Sequence, residues 1–228
     1  MQTQWPYFPV FLKLAGRRVL VVGGGELALR KIRLLLRAGA RIEAAACELL
    51  PELASLEIAH IAGEFEPRQL RGCALALAAS DDAALNARVA AAAQALSIPV
   101  NVVDDGAAST YITPSIVDRA PLLLAISSGG AAPLLARRLR AQIEALLPAA
   151  YGRLASFLGR VRPRLKSLPI EHRRRVLEDF LEGAGAQRIL AGDEPAAEAV
   201  LDRLTQDRGN AAPAGEAKGE VFLVGAGP

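Results

Sequence analysis

RVLVVGGGELALRK, residues 18–31, is the segment from which the architecture of this chain can first be predicted. The apolar run at residues 19–22 is typical of a strand that is buried on both faces. Three glycines follow without a spacer, and apolar residues then recur at helical spacing from Glu26 to Arg37. A strand, a glycine turn and a helix in this order open a βαβ unit of the dinucleotide-binding type.

The glycine turn has two interpretations. In a nucleotide-binding loop, Gly23 makes the tight turn, Gly25 lets the backbone approach a pyrophosphate, and Ala28 allows the helix to pack closely on the strand. The same pattern, Gly23-x-Gly25-x-x-Ala28, also fits a tight turn with a purely structural role. The apolar strand before the turn and the amphipathic helix after it favour nucleotide binding.

Composition narrows the class of protein. The chain has 228 residues, a length that is enough for one large domain or two modest ones. Of these residues, 52% are hydrophobic and only 4% are aromatic. A net charge of +3 fits an acidic small ligand and is no signature of nucleic-acid binding. Cys47 and Cys73 have no zinc-ligand spacing, and no membrane span or secretory signal is visible. We therefore expect a cytoplasmic protein with aliphatic cores.

Further strands are predicted at residues 41–46, 58–61, 73–79 and 98–103, with a helix at residues 83–96 that Ser80 or Asp81 caps. Residues 1–16 form an arm, whose apolar residues 7–12 are expected to add an edge strand or to pack on the sheet. These elements predict an α/β fold with an N-terminal, Rossmann-type parallel sheet.

Acidic residues at the strand ends suggest where ligands bind. Many dinucleotide sites hold the ribose with an acidic residue at the end of the second strand. Here Glu43 comes too early and only Glu48 is close by, so the way the ribose is held stays open. No arginine pocket for a 2′-phosphate is visible, which favours NAD over NADP. Asp104 follows the fifth strand, where ligands of open α/β sheets bind, whereas Asp105 is expected to be a turn residue.

The pattern changes after Gly106. Two strands at residues 109–119 and 121–126 precede a loop of small residues and a helix at residues 134–147, so we place a domain boundary near residue 113. The chain is then helical and basic to about residue 207. Residues 208–218 are typical of a linker. Residues 219–228 read as a strand and an interrupted glycine loop, which predicts a truncated further domain.

Several segments together resemble the N-terminal module of siroheme synthase. They are, in order, Val21-Val-Gly-Gly-Gly25, Arg30-Lys31, Ala38-Gly-Ala40, Ala78-Ala-Ser-Asp-Asp82, Asn101-Val-Val-Asp104, Pro114-Ser-Ile-Val-Asp-Arg119 and Ser127-Ser-Gly-Gly130. The terminal Leu223-Val-Gly-Ala-Gly-Pro228 is similar to the first strand of the S-adenosyl-L-methionine-dependent uroporphyrinogen-III methyltransferase domain that the three-function enzymes carry behind this module.

The resemblance implies two activities. They are NAD-dependent oxidation of precorrin-2 to sirohydrochlorin, and insertion of Fe²⁺, as a substrate, to give siroheme. It also implies a homodimer with a Rossmann domain at residues 1–113, a small α+β dimerisation region at residues 114–150, and a helical region at residues 151–207. Residues 219–228 would then begin the methyltransferase domain.

The resemblance also assigns roles to residues. It implicates Asp104 in both reactions, and a carboxylate there is suited to accept the protons that both reactions release. It makes Ser128 a candidate phosphoserine. Contacts to NAD are implied at Gly23, Gly24, Gly25, Glu26 and Leu27, and after the second strand at Cys47 and Glu48.

Other residues are candidates for binding the carboxylates of the tetrapyrrole. Ser128 and Gly129 open a helix, where a hydroxyl and backbone amides suit a carboxylate, although a plain helix cap explains them equally well. Basic side chains suited to pair with the carboxylates, or else simply solvated, are Arg119, Arg137, Arg138 and Arg140. His60 and His172 lie in no motif, and we expect no resident metal site.

Two other functions remain open at this stage. One is a dehydrogenase without chelatase activity. The other is a non-catalytic NAD-sensing module that controls a partner domain. A sensor needs neither an acid beyond the fifth strand nor a basic second half, so Asp104 and the arginines favour the enzyme.

Overall fold

The computed structural model describes residues 7–207 of the chain. Its internal contacts divide these residues into two compact units. The first comprises residues 7–115 and 126–138, and the second comprises residues 116–125 and 139–207. Within residues 7–207, no helix has the length and apolar character that crossing a bilayer requires.

The first unit is built on a five-stranded parallel sheet, as predicted. Its strands are β1 (Arg18–Val22), β2 (Arg41–Ala46), β3 (Ala59–Ala62), β4 (Leu75–Ala78) and β5 (Val100–Val102). Their order in the sheet is β3-β2-β1-β4-β5. β1 is central and pairs with β2 and β4, which explains why it reads as a continuous apolar run.

Three helices and a 3₁₀ turn connect these strands. They are α1 (Glu26–Arg37), α2 (Pro51–Ala54), the turn Pro67–Leu70 and α3 (Ala83–Ala95). Alternate strand residues face opposite sides of the sheet, so two cores form. On one side Leu20 and Val22 pack in a core with Val89 of α3, and on the other Val21 packs in a core with Ile32 of α1.

The strand order places a crevice at the carboxyl ends of β1 and β4. The chain runs from β1 outward through β2 to β3, and then returns to the other side of β1 to form β4 and β5. The connections after β1 and after β4 therefore leave the sheet in opposite directions. Open α/β sheets bind ligands at such a switch point.

The remaining elements follow this sheet in the sequence. β6 (Ser115–Arg119) and β7 (Leu122–Ile126) form a two-stranded sheet, followed by α4 (Pro133–Leu146). Four helices of the second unit complete the described chain: α5 (Ala150–Leu165), α6 (Ile170–Glu182), α7 (Ala184–Ala191) and α8 (Glu194–Gln206). Their core is centred on Phe157 and Phe180, whose rings stack with centroids 5.4 Å apart. The predicted helical region, residues 151–207, begins one residue after the observed start of α5 at Ala150.

Two expectations are wrong. The described part of the arm forms no strand, and its Phe8 and Phe11 are 79% and 73% exposed. The N-terminal cap of α3 is Asp82 rather than Ser80 or Asp81, because only the Asp82 carboxylate accepts from the first free amides, those of Ala84 and Leu85. The predicted linker at residues 208–218 and the predicted start of a further domain at residues 219–228 lie outside the described residues.

Candidate functional site

The glycine turn between β1 and α1 is confined by backbone on two sides. Gly23 has a φ of +130°, and a Cβ there would collide with the carbonyl group of Ala79. A Cβ on Gly24 would collide with the carbonyl oxygen of Glu48. A side chain at either position would therefore push β1 away from the segments that follow β4 and β2.

Gly25 differs from the two glycines before it. It is the N-cap of α1, it has an ordinary φ of −95°, and a Cβ there would meet no atom within 4 Å. The fold therefore does not require glycine at this position. A ligand that approaches the backbone does require it, which is the role predicted for Gly25 in a nucleotide-binding loop.

A pocket of about 310 Å³ opens at this turn. Its lining consists of Gly23, Gly24, Gly25, Glu26, Leu27, Ala79, Ser80 and Asp81. No side chain caps the N-terminus of α1, so the first amide groups of that helix are available to a ligand. Free amides, the positive end of the helix dipole and the open space at Gly25 fit a pyrophosphate.

The far wall of the pocket was not predicted from the sequence. Ala79, Ser80 and Asp81 follow β4, and their sequence predicts a helix cap and carries part of the family resemblance, but it predicts no contact with a ligand. Asn86 of α3, which is 8% exposed, holds it in place. The Asn86 Nδ2 donates to the Ser80 carbonyl at 2.8 Å, and its Oδ1 accepts from the Ser80 hydroxyl at 3.0 Å. Only the strand order, which makes β4 the neighbour of β1, reveals this wall.

The end of β2 supplies no acidic residue to the pocket lining. Glu43 forms a bidentate ion pair with Arg18. The Arg18 Nε donates to Oε1 of Glu43 at 2.8 Å and the Arg18 Nη2 donates to Oε2 at 2.7 Å, so Glu43 has a structural role. Cys47 and Glu48 are exposed and do not line the pocket. Their contact with the cofactor therefore stays a prediction, as does the way in which the ribose is held.

Asp104 and Asp105 have different environments at the end of β5. The Asp105 carboxylate accepts from the amides of Ala107 and Ala108, each at 3.0 Å, which makes it the turn residue, as expected. Asp104 is exposed and has a left-handed φ of +63°, a backbone conformation that few residues other than glycine adopt. Within residues 7–207 its carboxylate accepts no hydrogen bond. Asp104 is not part of the pocket lining.

The loop of small residues before α4 has its own internal hydrogen bonds. The Ser128 hydroxyl accepts from the Ala132 amide at 2.9 Å, and the Gly129 amide donates to the Ser127 hydroxyl at 3.0 Å. Ser128 therefore acts as a local cap. Binding of a carboxylate by Ser128 and Gly129 stays a prediction, and it would require these bonds to be exchanged.

The candidate arginines also differ from one another. Arg137 and Arg138 are exposed on α4, and Arg140 pairs with Glu144 at 3.2 Å. The Arg119 guanidinium donates to the backbone carbonyls of Asp118, Glu144 and Leu147. Arg119 therefore caps the C-terminal end of α4, which is a structural role, and substrate binding by Arg119 stays a prediction.

Neither histidine belongs to a cluster of metal ligands in the described part of the chain. His60 is exposed and its Nε2 lies 2.9 Å from the Ala46 carbonyl oxygen. His172 is half-buried and its Nε2 has no hydrogen-bond partner in the described part of the chain. Among residues 7–207, no three His, Cys, Asp or Glu side chains group in a way that could hold a metal ion.

Three family models match the chain in succession. A model described as putative NAD(P)-binding matches residues 10–115, one described as sirohaem biosynthesis protein central matches residues 119–146, and one described as sirohaem synthase dimerisation region matches residues 150–204. The model named for dimerisation matches residues of the four helices α5–α8, whereas the family resemblance implies dimerisation through residues 114–150.

Curated relatives match over nearly the whole chain. The siroheme synthase of Chromobacterium violaceum is 50% identical over 97% of this chain, and that of Methylobacillus flagellatus is 48% identical over 96%. Both matches span 47% of the relative, so the chain is about half as long as these proteins. A solved structure of SirC, a precorrin-2 dehydrogenase, shares the fold, with a TM-score of 0.67 at 23% identity over 86% of this chain and 100% of that one.

The different surroundings of Gly23 and Gly25 lead to a prediction. Gly23→Ala should lower the free energy of unfolding by about 2 kcal/mol or more, because it adds a collision to a left-handed φ. Gly25→Ala should leave unfolding nearly unchanged and weaken the binding of NAD. Urea unfolding and calorimetric titration with NAD measure the two effects. Equal loss of stability in both variants would contradict the assignment of Gly25 to a ligand.

Proposed function

Because the chain belongs to the siroheme synthase family and matches the N-terminal half of its members, we propose that it oxidises precorrin-2 with NAD and then inserts Fe²⁺. The oxidation removes a hydride and a proton from precorrin-2 and gives sirohydrochlorin. The insertion exchanges two pyrrole N–H protons for Fe²⁺ and gives siroheme. The observation that carries the proposal is the glycine-lined pocket at the start of α1, in a chain that matches this family along most of its length.

In this proposal the backbone binds the cofactor. The amides at the start of α1 hold the pyrophosphate, and Gly25 allows its close approach. When bound, the nicotinamide accepts the hydride. We propose that the cofactor is NAD rather than NADP. The residues that follow β2 are Cys47 and Glu48, and there is no arginine among them to bind a 2′-phosphate.

Asp104 is proposed as the acid–base residue. Both reactions release protons from the tetrapyrrole, and the Asp104 carboxylate accepts no hydrogen bond from the described residues, so it is available for a proton. Its left-handed backbone supports the assignment, because strained conformations of this kind concentrate at functional sites. The exposed Arg137 and Arg138 are proposed to attract the substrate carboxylates.

A homodimer is also part of the proposal. Large aliphatic side chains of the second unit remain exposed outside its helical core: Leu122 and Leu123 on β7, and Leu139 and Leu146, two turns apart on α4. Leu146 is 76% exposed, which is costly for an isolated molecule in water. The length of the relatives supports a fused methyltransferase domain in the whole protein, and a cytoplasmic location stays a prediction.

An anaerobic assay tests the proposed activities. The chain is mixed with precorrin-2 and NAD, NADH is followed by its absorbance, and Fe²⁺ is then added. We expect NADH and then the spectrum of siroheme. NADH without siroheme would leave a dehydrogenase, and neither product in a protein that binds NAD would favour the sensor.

Asp104→Asn tests the acid–base role without straining the backbone, because Asn tolerates the left-handed region better than Ala. We expect kcat for NADH formation to fall by about 10²-fold or more, with the Kd for NAD unchanged. Asp105→Asn is the matched control, since it removes a neighbouring charge from a turn residue and should retain activity. If Asp104→Asn weakened NAD binding as much as turnover, Asp104 would be structural.

Ser128→Asp tests whether a negative charge at the proposed modification site repels the polyanionic substrate. One close like-charge contact in water costs roughly 1 kcal/mol, so KM for precorrin-2 should rise about fivefold while KM for NAD stays constant. Ser128→Ala is the control, because it removes the bond to Ala132 without adding charge. Steady-state kinetics in which both variants behave alike would assign the effect to the lost cap.

A further inference from the structure

The far wall of the cofactor pocket contains an exposed acidic residue, Asp81. Among residues 7–207, no group donates a hydrogen bond to the Asp81 carboxylate or forms an ion pair with it. The polar side chains on either side of it are occupied. The Ser80 hydroxyl bonds with Asn86 and accepts from the Asp82 amide at 3.1 Å, and the Asp82 carboxylate caps α3. Asp81 is therefore the side chain of this segment that is available to a ligand.

Hydrogen bonds fix the backbone that carries Asp81. The Ala79 amide donates to the Val22 carbonyl at 2.8 Å, which ties the segment to the end of β1. The Ser80 amide donates to Oδ1 of Asn86 at 3.2 Å, and the Asn86 Nδ2 donates to the Ser80 carbonyl at 2.8 Å. Asp81 therefore starts from a fixed position beside the glycine turn, which lowers the entropic cost of a contact with a ligand.

The strand order indicates which half of a dinucleotide lies at this wall. In dinucleotide sites of this type the adenosine ribose is held at the end of the second strand, so the adenosine half lies on the β2 side of the pyrophosphate. β1 lies between β2 and β4, and β5 lies beyond β4. The nicotinamide half therefore extends over the end of β4, where Asp81 is, in the direction of β5, which Asp104 follows.

We propose that the Asp81 carboxylate accepts a hydrogen bond from a hydroxyl of the ribose that carries the nicotinamide, and so orients the nicotinamide ring. A carboxylate repels a pyrophosphate, whereas ribose hydroxyls are donors to which an ionised acceptor bonds strongly. The ribose is therefore the part of the cofactor that suits Asp81. This inference rests on the proposed function, in which NAD is the cofactor, and it adds a residue to which the family resemblance assigned no role.

Calorimetric titration of Asp81→Ala with three ligands tests the contact. ADP contains adenosine and the pyrophosphate, ADP-ribose adds the second ribose, and NAD adds the nicotinamide. Asp81→Ala should raise the Kd for ADP-ribose and for NAD about tenfold, because a hydrogen bond to a charged acceptor is lost. The same variant should bind ADP at least as tightly as the wild type does, since ADP lacks the second ribose and the lost charge repels the pyrophosphate.

Asp82→Asn is the matched control. It removes the adjacent negative charge, and its amide oxygen still caps α3, so all three Kd values should stay within about twofold of the wild type. Asp81→Ala should also leave urea unfolding nearly unchanged, because the Asp81 carboxylate makes no bond within residues 7–207. If Asp81→Ala tightened the binding of all three ligands, or weakened all three equally, the assignment to the ribose would be overturned.

These titrations need no turnover, so they separate this inference from the proposed function. Selective weakening of ADP-ribose and NAD by Asp81→Ala, in a protein whose wild type makes no NADH from precorrin-2, would support the ribose contact and contradict the proposed function. A wild type that makes NADH, with an Asp81→Ala variant that binds all three ligands as the wild type does, would overturn the contact and leave the proposed function intact. A wild type that does not bind NAD would overturn both.

Discussion

The absence of space around Gly23 and Gly24 is the constraint on which the first unit depends. β1 is hydrogen-bonded to strands on both sides, and the segments that follow those strands place carbonyl groups against the turn, Ala79 on one side and Glu48 on the other. A turn without side chains is the one that fits there. Because the turn is this tight, α1 starts directly at the end of β1, and its free amides face the crevice between β1 and β4.

In the proposed function, the groups that bind the cofactor are separate from the acid–base residue. At the crevice the groups offered to a ligand are mainly backbone amides and small residues, which suit a phosphate group whatever the neighbouring side chains are. Asp104, the proposed acid–base residue, follows β5 and is not part of the pocket lining.

The second unit has a separate core, built from helices alone. Phe157 and Phe180 stack at its centre, and Gly185 lies so close to the Phe180 ring that a side chain would not fit. Arg119, a candidate for substrate binding, joins the end of β6 to the end of α4 by donating to three backbone carbonyls. Its interactions stabilise that unit rather than present a charge to solvent.

Four features could be predicted from the sequence, namely the βαβ unit, the parallel sheet, the glycine turn and the bounds of α1. These features depend on local periodicity and on residues with unusual backbone freedom. The sequence also distinguished Asp104 from Asp105 by position alone. Two features follow from the tertiary structure: Ala79, Ser80 and Asp81 form the second wall of the pocket, and Glu43 pairs with Arg18. These facts depend on which strands become neighbours and which helix covers them, and contacts between residues so distant in sequence leave no local periodic signal.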